Sequence, residues 1–225
     1  RNRVLRIDFS NDSTNSPGTF PQTRYGVGGT STPSYGYVAG GHNTGFGATG
    51  KTDRLQFSNN TTDSKPDLPY GSFSNYRLVG FDNPTSGYYS SAGKNIKYNF
   101  SGETYSLIPG SNDLPTAVYY MSSVQTSSYG YYGYGTNDNN DLKKFDFSND
   151  TRGDQFGSLP IIRPQGAGVY NDSYGYFAGG VTYNAPDGPR STLIDRFDFS
   201  AGTISTRPSA LSLPVGTAGV SSMLA

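Results

Sequence analysis

A five-residue phrase that begins with Phe-Ser occurs five times in this chain of 225 residues. Its copies occupy residues 9–13, 57–61, 100–104, 147–151 and 199–203, so consecutive copies start 43 to 52 residues apart. A period in the forties is typical of a chain built from one repeated supersecondary unit. The spacing therefore predicts a single domain over residues 1–225.

Each period contains short β-strand patterns. The phrase Tyr-Gly-Tyr-Val-Ala-Gly-Gly at residues 35–41 returns in related form at 129–135 and 174–180, and a degraded copy lies at 87–93. A second pattern alternates apolar and polar residues and ends at the Phe-Ser phrase, which is the period of a strand with one buried face. Because the tyrosines recur at equivalent positions, we expect them to pack between repeats rather than to stack on sugars.

Two local features are predicted for the strand that ends at the Phe-Ser phrase. The step Ser-Asn-Asp-Thr matches a two-residue hairpin turn, in which Asn, Asp and Gly tolerate positive φ. Opposite charges two residues apart are expected to pair along the strand or with a neighbouring strand. These pairs are Arg6 with Asp8, Lys144 with Asp146, and Arg196 with Asp198.

Composition excludes several classes of site. The chain has 17 basic and 17 acidic residues and no basic block, so we expect no nucleic-acid partner. No apolar stretch approaches the length of a membrane span, and no membrane insertion is predicted. Cysteine is absent, which rules out disulfides and thiolate metal sites. No long segment has an uninterrupted helical period, so almost no helix is expected.

Four antiparallel strands in a repeat of this length are the signature of a β-propeller blade. The chain resembles the kelch type of β-propeller in its strands that end in Gly-Gly, at residues 40–41 and 179–180, each followed by a loop and an aromatic-rich strand. It differs from kelch blades in having no Trp. We predict an all-β propeller of about five four-stranded kelch-like blades, closed by pairing of the N-terminal and C-terminal strands.

Complete blades are predicted at residues 22–67, 72–108, 116–157 and 163–206. Residues 1–20 and 214–225 would form a composite fifth blade, which leaves no free sheet edge. The Tyr-Gly-Tyr strand of that blade is missing from the sequence. The blade therefore has three strands, or a partner supplies the fourth, or the chain continues past Ala225. We favour continuation, which keeps a propeller of more than five blades as an alternative.

A closer resemblance is to the repeats of virion and tail-fibre proteins in aquatic tailed phages. The segments that carry it are residues 145–151, Phe-Asp-Phe-Ser-Asn-Asp-Thr, and residues 173–180, Ser-Tyr-Gly-Tyr-Phe-Ala-Gly-Gly. The resemblance implies an extracellular or virion-surface location and a binding or structural role.

Loops between the second and third strands differ in length on an otherwise equal scaffold. They span residues 42–51, 136–140 and 181–191, and in the second repeat the loop shrinks almost to Lys94. Unequal loops on one face are typical of a binding site, although solvated linkers are the alternative reading. The candidate ligand-binding residues are Phe46, Tyr183 and Arg190, joined by Tyr70 on a link between blades.

Metal and catalytic sites have little support in the sequence. Asp138 and Asp141 lie in an Asn/Asp cluster with the oxygen ligands that calcium prefers, but such clusters also form plain turns. His42 is the single histidine and Glu103 the single glutamate, and neither belongs to a nucleophile or paired-carboxylate motif. We predict no catalytic residues, no metal site and no cofactor, with calcium as the one exception to test.

These features together predict a non-catalytic module that binds a host-surface glycan or a neighbouring structural protein through loops on one propeller face. A purely structural decoration or filament subunit is the alternative, and a glycan-active enzyme is a third reading. The expected partners are a cell-surface polysaccharide, another virion or structural protein, or a second copy of the chain. Several weak loop sites around a rigid ring would gain avidity from joint presentation.

Overall fold

The computed structural model describes residues 2–43, 47–69, 78–91, 94–108, 120–133, 135, 140–182, 188–208 and 210–212. All regular elements in these residues are β-strands, which confirms the predicted all-β class. No helix in these ranges is long and apolar enough to cross a membrane. In chain order the strands are β1 (Arg3–Asp8), β2 (Ser13–Thr19), β3 (Arg24–Tyr25), β4 (Gly28–Ser31), β5 (Tyr35–Ala39), β6 (His42–Asn43), β7 (Gly47–Ala48), β8 (Thr52–Gln56), β9 (Thr62–Lys65), β10 (Val79–Asn83), β11 (Ser86–Ser91), β12 (Lys94–Asn99), β13 (Thr104–Leu107), β14 (Ser122–Gln125), β15 (Tyr129–Gly133), β16 (Asp141–Asp146), β17 (Thr151–Ser158), β18 (Gly166–Tyr170), β19 (Tyr174–Gly179), β20 (Ile194–Asp198) and β21 (Thr203–Thr206).

The described strands form six antiparallel sheets. Four of them are four-stranded meanders, which we call sheet I (β4-β5-β8-β9), sheet II (β10-β11-β12-β13), sheet III (β14-β15-β16-β17) and sheet IV (β18-β19-β20-β21). The other two are the hairpin β1-β2 and the small sheet β3-β6-β7. In each meander the second strand carries the Tyr-Gly-Tyr phrase or its degraded copy, and the Phe-Ser phrase joins the third strand to the fourth.

The first strands of successive sheets are neighbours in space. β4 contacts β10, β10 contacts β14, and β14 contacts β18. The Ser123 hydroxyl donates a hydrogen bond to the Gly80 carbonyl at 2.7 Å, across sheets II and III. A Cβ on Gly168 would lie 1.9 Å from the Ser123 carbonyl oxygen, so only glycine permits this backbone approach of β18 to β14. The four meanders therefore follow one another side by side, while residues 214–225, on which the predicted ring closure depends, lie outside the described residues.

Aromatic clusters hold neighbouring sheets together. In sheet III, Tyr131 stacks on Phe199 of sheet IV with ring centroids 5.5 Å apart and meets Phe197 edge-on at 4.8 Å. The same arrangement joins the preceding sheets, with Tyr37 against Tyr98 and Phe100, and Tyr88 against Phe145 and Phe147. Burial raises the pKa of Tyr131 to about 12, as expected for a phenol that packs in a core. The prediction that the tyrosines pack between repeats is confirmed for Tyr37, Tyr88 and Tyr131.

The Phe-Ser turns differ from the prediction in length. Asp146 pairs with Thr151 and Asp198 with Thr203, so each loop contains four residues, and the two-residue turn predicted from the sequence is wrong. The predicted positive φ is confirmed, because the fourth loop residue has φ between 50° and 65° in all five copies. These residues are Asp12, Asn60, Glu103, Asp150 and Gly202.

The predicted ion pairs along the third strand are also wrong. The carboxylates of Asp8, Asp146 and Asp198 instead accept hydrogen bonds from the backbone N–H and the hydroxyl of the serine two residues later. A short side chain at the end of the strand reaches the turn more easily than it reaches a neighbouring cation. Hydrogen bonds from Ser148 lower the pKa of Asp146. The pKa of Asp198 is also lowered, most by the hydrogen bond from the Ala201 N–H and further by those from Ser200.

Two buried ion pairs occupy equivalent positions in sheets I and IV. Arg163 donates to Asp195 at 2.5 Å and to the Leu193 carbonyl at 3.0 Å, and it also bonds to the Gly179 carbonyl. Arg24 bonds in the same way to Asp53 and to the carbonyls of the equivalent residues of sheet I. Both partners of each pair have side chains at most 2% exposed. Each arginine therefore ties the segment before the first strand to the ends of the second and third strands.

Candidate functional site

Most of the predicted loop site lies outside the described residues. Phe46, Tyr70, Tyr183 and the calcium candidate Asp138 fall in this class. Arg190 is described, and it is an exposed residue that forms an isolated antiparallel bridge with Val181. Of the four predicted ligand-binding residues, Arg190 alone belongs to the described part of the chain.

The second calcium candidate has a cation partner of its own. Asp141 begins β16, and its carboxylate accepts a hydrogen bond from Lys143 at 2.6 Å. A calcium ion at Asp141 would have to compete with this ammonium group. The described residues contain no group of three or more His, Asp or Glu side chains that could hold a metal ion.

A different set of residues meets at the opposite end of the sheets. In a meander, the turn between strands one and two and the turn between strands three and four emerge at the same end, away from the loops predicted to bind ligand. The first of these turns is built alike in all four sheets, because one side chain accepts hydrogen bonds from the next backbone N–H groups. The accepting residues are Thr32, Asn83, Thr126 and Asn171.

These four turns surround a cavity of about 520 Å³ that we call the central cavity. Asp82 is its most buried acidic residue. Its carboxylate accepts hydrogen bonds from the Ser31 N–H at 2.8 Å and from the Gln125 side-chain amide at 2.9 Å. Burial raises the pKa of Asp82, although both hydrogen bonds oppose that shift. Because its two carboxylate oxygens accept hydrogen bonds from sheets I and III, Asp82 links these two sheets to sheet II.

Two equivalent grooves lie between neighbouring sheets at the same end. The Arg54 groove, between sheets I and II, has a volume of about 780 Å³ and is lined by Tyr35, Tyr37, Arg54, Lys65, Phe100 and Glu103, among others. The Lys144 groove, between sheets III and IV, has a volume of about 690 Å³ and is lined by Tyr129, Tyr131, Lys144, Phe156, Tyr174 and Phe199, among others. Each has aromatic rings and a rim of serine and threonine hydroxyls. Of the charged residues, Arg54, Lys65 and Glu103 line the Arg54 groove, and Lys144, Asp172 and Asp198 line the Lys144 groove.

In the Arg54 groove the charges are balanced internally. Arg54 pairs with Asp63 at 2.8 Å and with Glu103 at 2.7 Å, and Lys65 contacts the same two carboxylates at 2.9 Å. Although burial opposes the shift, hydrogen bonds from Arg54 and Lys65 lower the pKa of Asp63. This network explains the single glutamate of the chain, since Glu103 stabilises the seam between two sheets.

In the Lys144 groove the cation has no carboxylate partner among the described residues. The Lys144 Nζ lies 3.6 Å from the ring centroid of Tyr129 and 5.0 Å from that of Phe156. Asp146, on the same strand, caps the turn through Ser148 instead of pairing with Lys144. An ammonium held on aromatic faces beside hydroxyl groups can bind an anionic group of a ligand and orient it over the rings.

Sequence reasoning missed both grooves because their components come from different repeats. A cation occupies the same position of the third strand in each of the four sheets. In sheets I, III and IV it lies over the ring that starts the Tyr-Gly-Tyr phrase, as in Arg54 over Tyr35 and Arg196 over Tyr174. A sequence comparison of the repeats could have found the Lys144 groove, because the acidic residue that pairs with Arg54 in one repeat is replaced in another. Position 202 is Gly where the equivalent residue 103 is Glu, which leaves the Lys144 groove without the carboxylate of the Arg54 groove.

Comparisons with known proteins give no further assignment. No protein-family model matches the chain, and no curated protein is significantly similar to it.

Proposed function

We propose that this chain is a non-catalytic binding module of β-propeller architecture that recognises an acidic glycan in the Lys144 groove. The propeller architecture is supported by four consecutive four-stranded meanders whose first strands are neighbours. An extracellular or virion-surface location, implied by the resemblance to phage repeats, agrees with a glycan as ligand and is part of the same proposal.

The observation that carries the proposal is the placement of Lys144. Its ammonium lies on the Tyr129 ring without a carboxylate partner in the described part of the chain, in a groove lined by further aromatic rings. Sugars bind proteins through stacking of their apolar faces on aromatic rings and through hydrogen bonds from their hydroxyls. The rim supplies the hydroxyls of Ser127, Ser128 and Ser173. The cation adds a preference for a carboxylate or sulfate on the sugar.

The Arg54 groove opens at the same end of the sheets as the Lys144 groove but has no unpaired cation among the described residues. Because Asp63 and Glu103 neutralise Arg54 and Lys65, the groove favours a neutral sugar unit. A long polysaccharide that reached both grooves would gain avidity from two weak contacts. The proposed site lies at the end of the sheets opposite to the loops that were predicted to bind ligand.

An array of neutral, uronic-acid and sulfated oligosaccharides tests the proposal with three proteins. The wild type and Lys51→Met should bind acidic glycans alike, since Lys51 is an exposed residue paired with Asp67 outside the groove. Lys144→Met should bind at least about tenfold more weakly, because a hydrogen bond to a charged group contributes about 1.5–3 kcal/mol. Absence of acidic-glycan binding by the wild type, or equal binding by both variants, would contradict the proposal and favour a structural subunit.

A further inference from the structure

The inner face of β1 is exposed, unlike that of the equivalent strands. Leu5 and Ile7 are 69% and 55% exposed. The residues equivalent to Ile7 in sheets II, III and IV are fully buried, and they are Tyr98, Phe145 and Phe197. β1 pairs with β2 and, in the described part of the chain, with no other strand. One edge of β1 and one apolar face are therefore without a partner there.

The four complete sheets define what pairs with that edge elsewhere. In each, the strand equivalent to β1 pairs with a second strand of the Tyr-Gly-Tyr type. The register is constant, since the glycine lies opposite the residue equivalent to Ile7. The pairs are Gly36 with Leu55, Gly87 with Tyr98, Gly130 with Phe145 and Gly175 with Phe197.

A second observation comes from sheet IV. In sheets I, II and III, one first-strand residue covers the glycine of the next sheet so closely that a Cβ there would clash. The contacts are Thr30 on Gly87, Phe81 on Gly130 and Val124 on Gly175, at 2.7, 2.5 and 2.5 Å from the hypothetical Cβ. Val169 holds the same position in sheet IV, and it is 45% exposed. Within the described ranges, Val169 does not cover a glycine as its equivalents do.

A third observation comes from sheet I. Phe100, Phe147 and Phe199 each stack on the second tyrosine of the preceding sheet. The equivalent residue of sheet I is Phe57, which is 42% exposed. β1, Val169 and Phe57 lie in three separate parts of the chain. Among the residues that the structure describes, each is without the contact that a Tyr-Gly-Tyr strand supplies to its equivalents.

We propose that β1 accepts a further β-strand of the Tyr-Gly-Tyr type. The four copies of the phrase in this chain already occupy β5, β11, β15 and β19, so the strand comes from outside these 225 residues. Addition of a strand to a sheet edge uses main-chain hydrogen bonds for affinity and alternate side chains for specificity. The inference does not depend on the glycan proposal, because none of these residues lines the Lys144 groove.

The repeat specifies the bound register. The first tyrosine of the incoming strand lies opposite Asp8, its glycine opposite Ile7, and its second tyrosine opposite Arg6. The Arg6 guanidinium lies over the first tyrosine, as Arg196 lies over Tyr174 at 4.4 Å. Val169 covers the glycine of the incoming strand, and Phe57 stacks on its second tyrosine.

A labelled peptide with the sequence of residues 172–181, with two lysines added for solubility, tests the proposal by fluorescence anisotropy with the full 225-residue chain. Saturable binding is expected. A peptide carrying Gly175→Val should bind on the order of tenfold more weakly, because the added side chain clashes with Val169. The chain variant Val169→Asp should weaken binding similarly, whereas Ile161→Asp, at an exposed apolar residue elsewhere, should bind like the wild type.

Two results would overturn the proposal. The first is no binding of the free peptide at millimolar concentration. The second is equal binding of the glycine and valine peptides, or an equal effect of Val169→Asp and Ile161→Asp.

Discussion

Replacement of Asp195 by Asn tests the buried ion pair of sheet IV. The Arg163 and Asp195 side chains are 1% exposed, so Asp195→Asn leaves a buried guanidinium without its counter-charge. The hydrogen bond from Thr206 to the remaining side-chain oxygen at 2.7 Å is retained, which limits the change to the charge. Removal of one partner of a buried pair costs about 3–5 kcal/mol. With a urea m-value of about 2–3 kcal/mol/M, the midpoint of unfolding should fall by about 1–2 M.

The matched control is Asp67→Asn at the exposed pair with Lys51, whose side chains are 47% and 45% exposed. Surface pairs contribute about 0–1 kcal/mol, so the control should unfold close to the wild type. The double variant Arg163→Met/Asp195→Leu should recover much of the loss, since an apolar pair needs no counter-charge. Urea unfolding followed by circular dichroism measures all three variants. Equal midpoints for Asp195→Asn and Asp67→Asn would refute the argument that the buried pair holds sheet IV.

Two further changes probe the repeats. Gly130→Ala places a Cβ 2.5 Å from the Phe81 ring and should lower the free energy of unfolding by about 1–3 kcal/mol. The control Gly157→Ala, with no atom within 4 Å of its Cβ, should change this free energy little. Equal effects of the two variants in thermal unfolding would contradict the argument. The pKa of Asp146 and of Asp198 is lowered in the folded chain, so their stabilisation is present above the ordinary value of about 3.8 and is lost as pH falls through the lower folded value. The double variant Asp146→Asn/Asp198→Asn, which keeps the accepting oxygens, should therefore lose less Tm than the wild type between pH 5 and pH 3, and parallel Tm curves would contradict the assignment.

Most of the described fold could be predicted from the repeat period of the sequence. The spacing of the Phe-Ser phrases located the four meanders, and their Asn, Asp and Gly residues indicated the positive φ of the turns. The turn length was wrong because Asp146 and its equivalents cap a four-residue loop, a competing hydrogen bond that residue spacing does not reveal. The buried pairs were missed because Arg24 and Arg163 lie outside the repeated phrases and meet their aspartates only in the folded chain.

The candidate site was less accessible from the sequence. The loop residues chosen for their variability mostly lie outside the described residues, and Arg190 is an exposed residue that forms a β-bridge with Val181. The Lys144 groove combines a cation from β16, rings from β15 and β17 and a turn from sheet IV, so no local motif contains it. Its charge imbalance could still have been found by aligning the five Phe-Ser phrases, because Gly202 stands where Glu103 stands in another copy.

The most direct measurement follows the Lys144 ammonium itself during addition of ligand. Reductive methylation with ¹³C labels the lysines, and the methyl groups of Lys144 should resonate upfield of the others because Nζ lies 3.6 Å from the Tyr129 ring centroid. Addition of an alginate or sulfated oligosaccharide should shift this signal selectively and saturably, while the signal of Lys51 should stay in place. No upfield signal, or a shift shared equally by all lysines, would contradict the Lys144 groove as the glycan site.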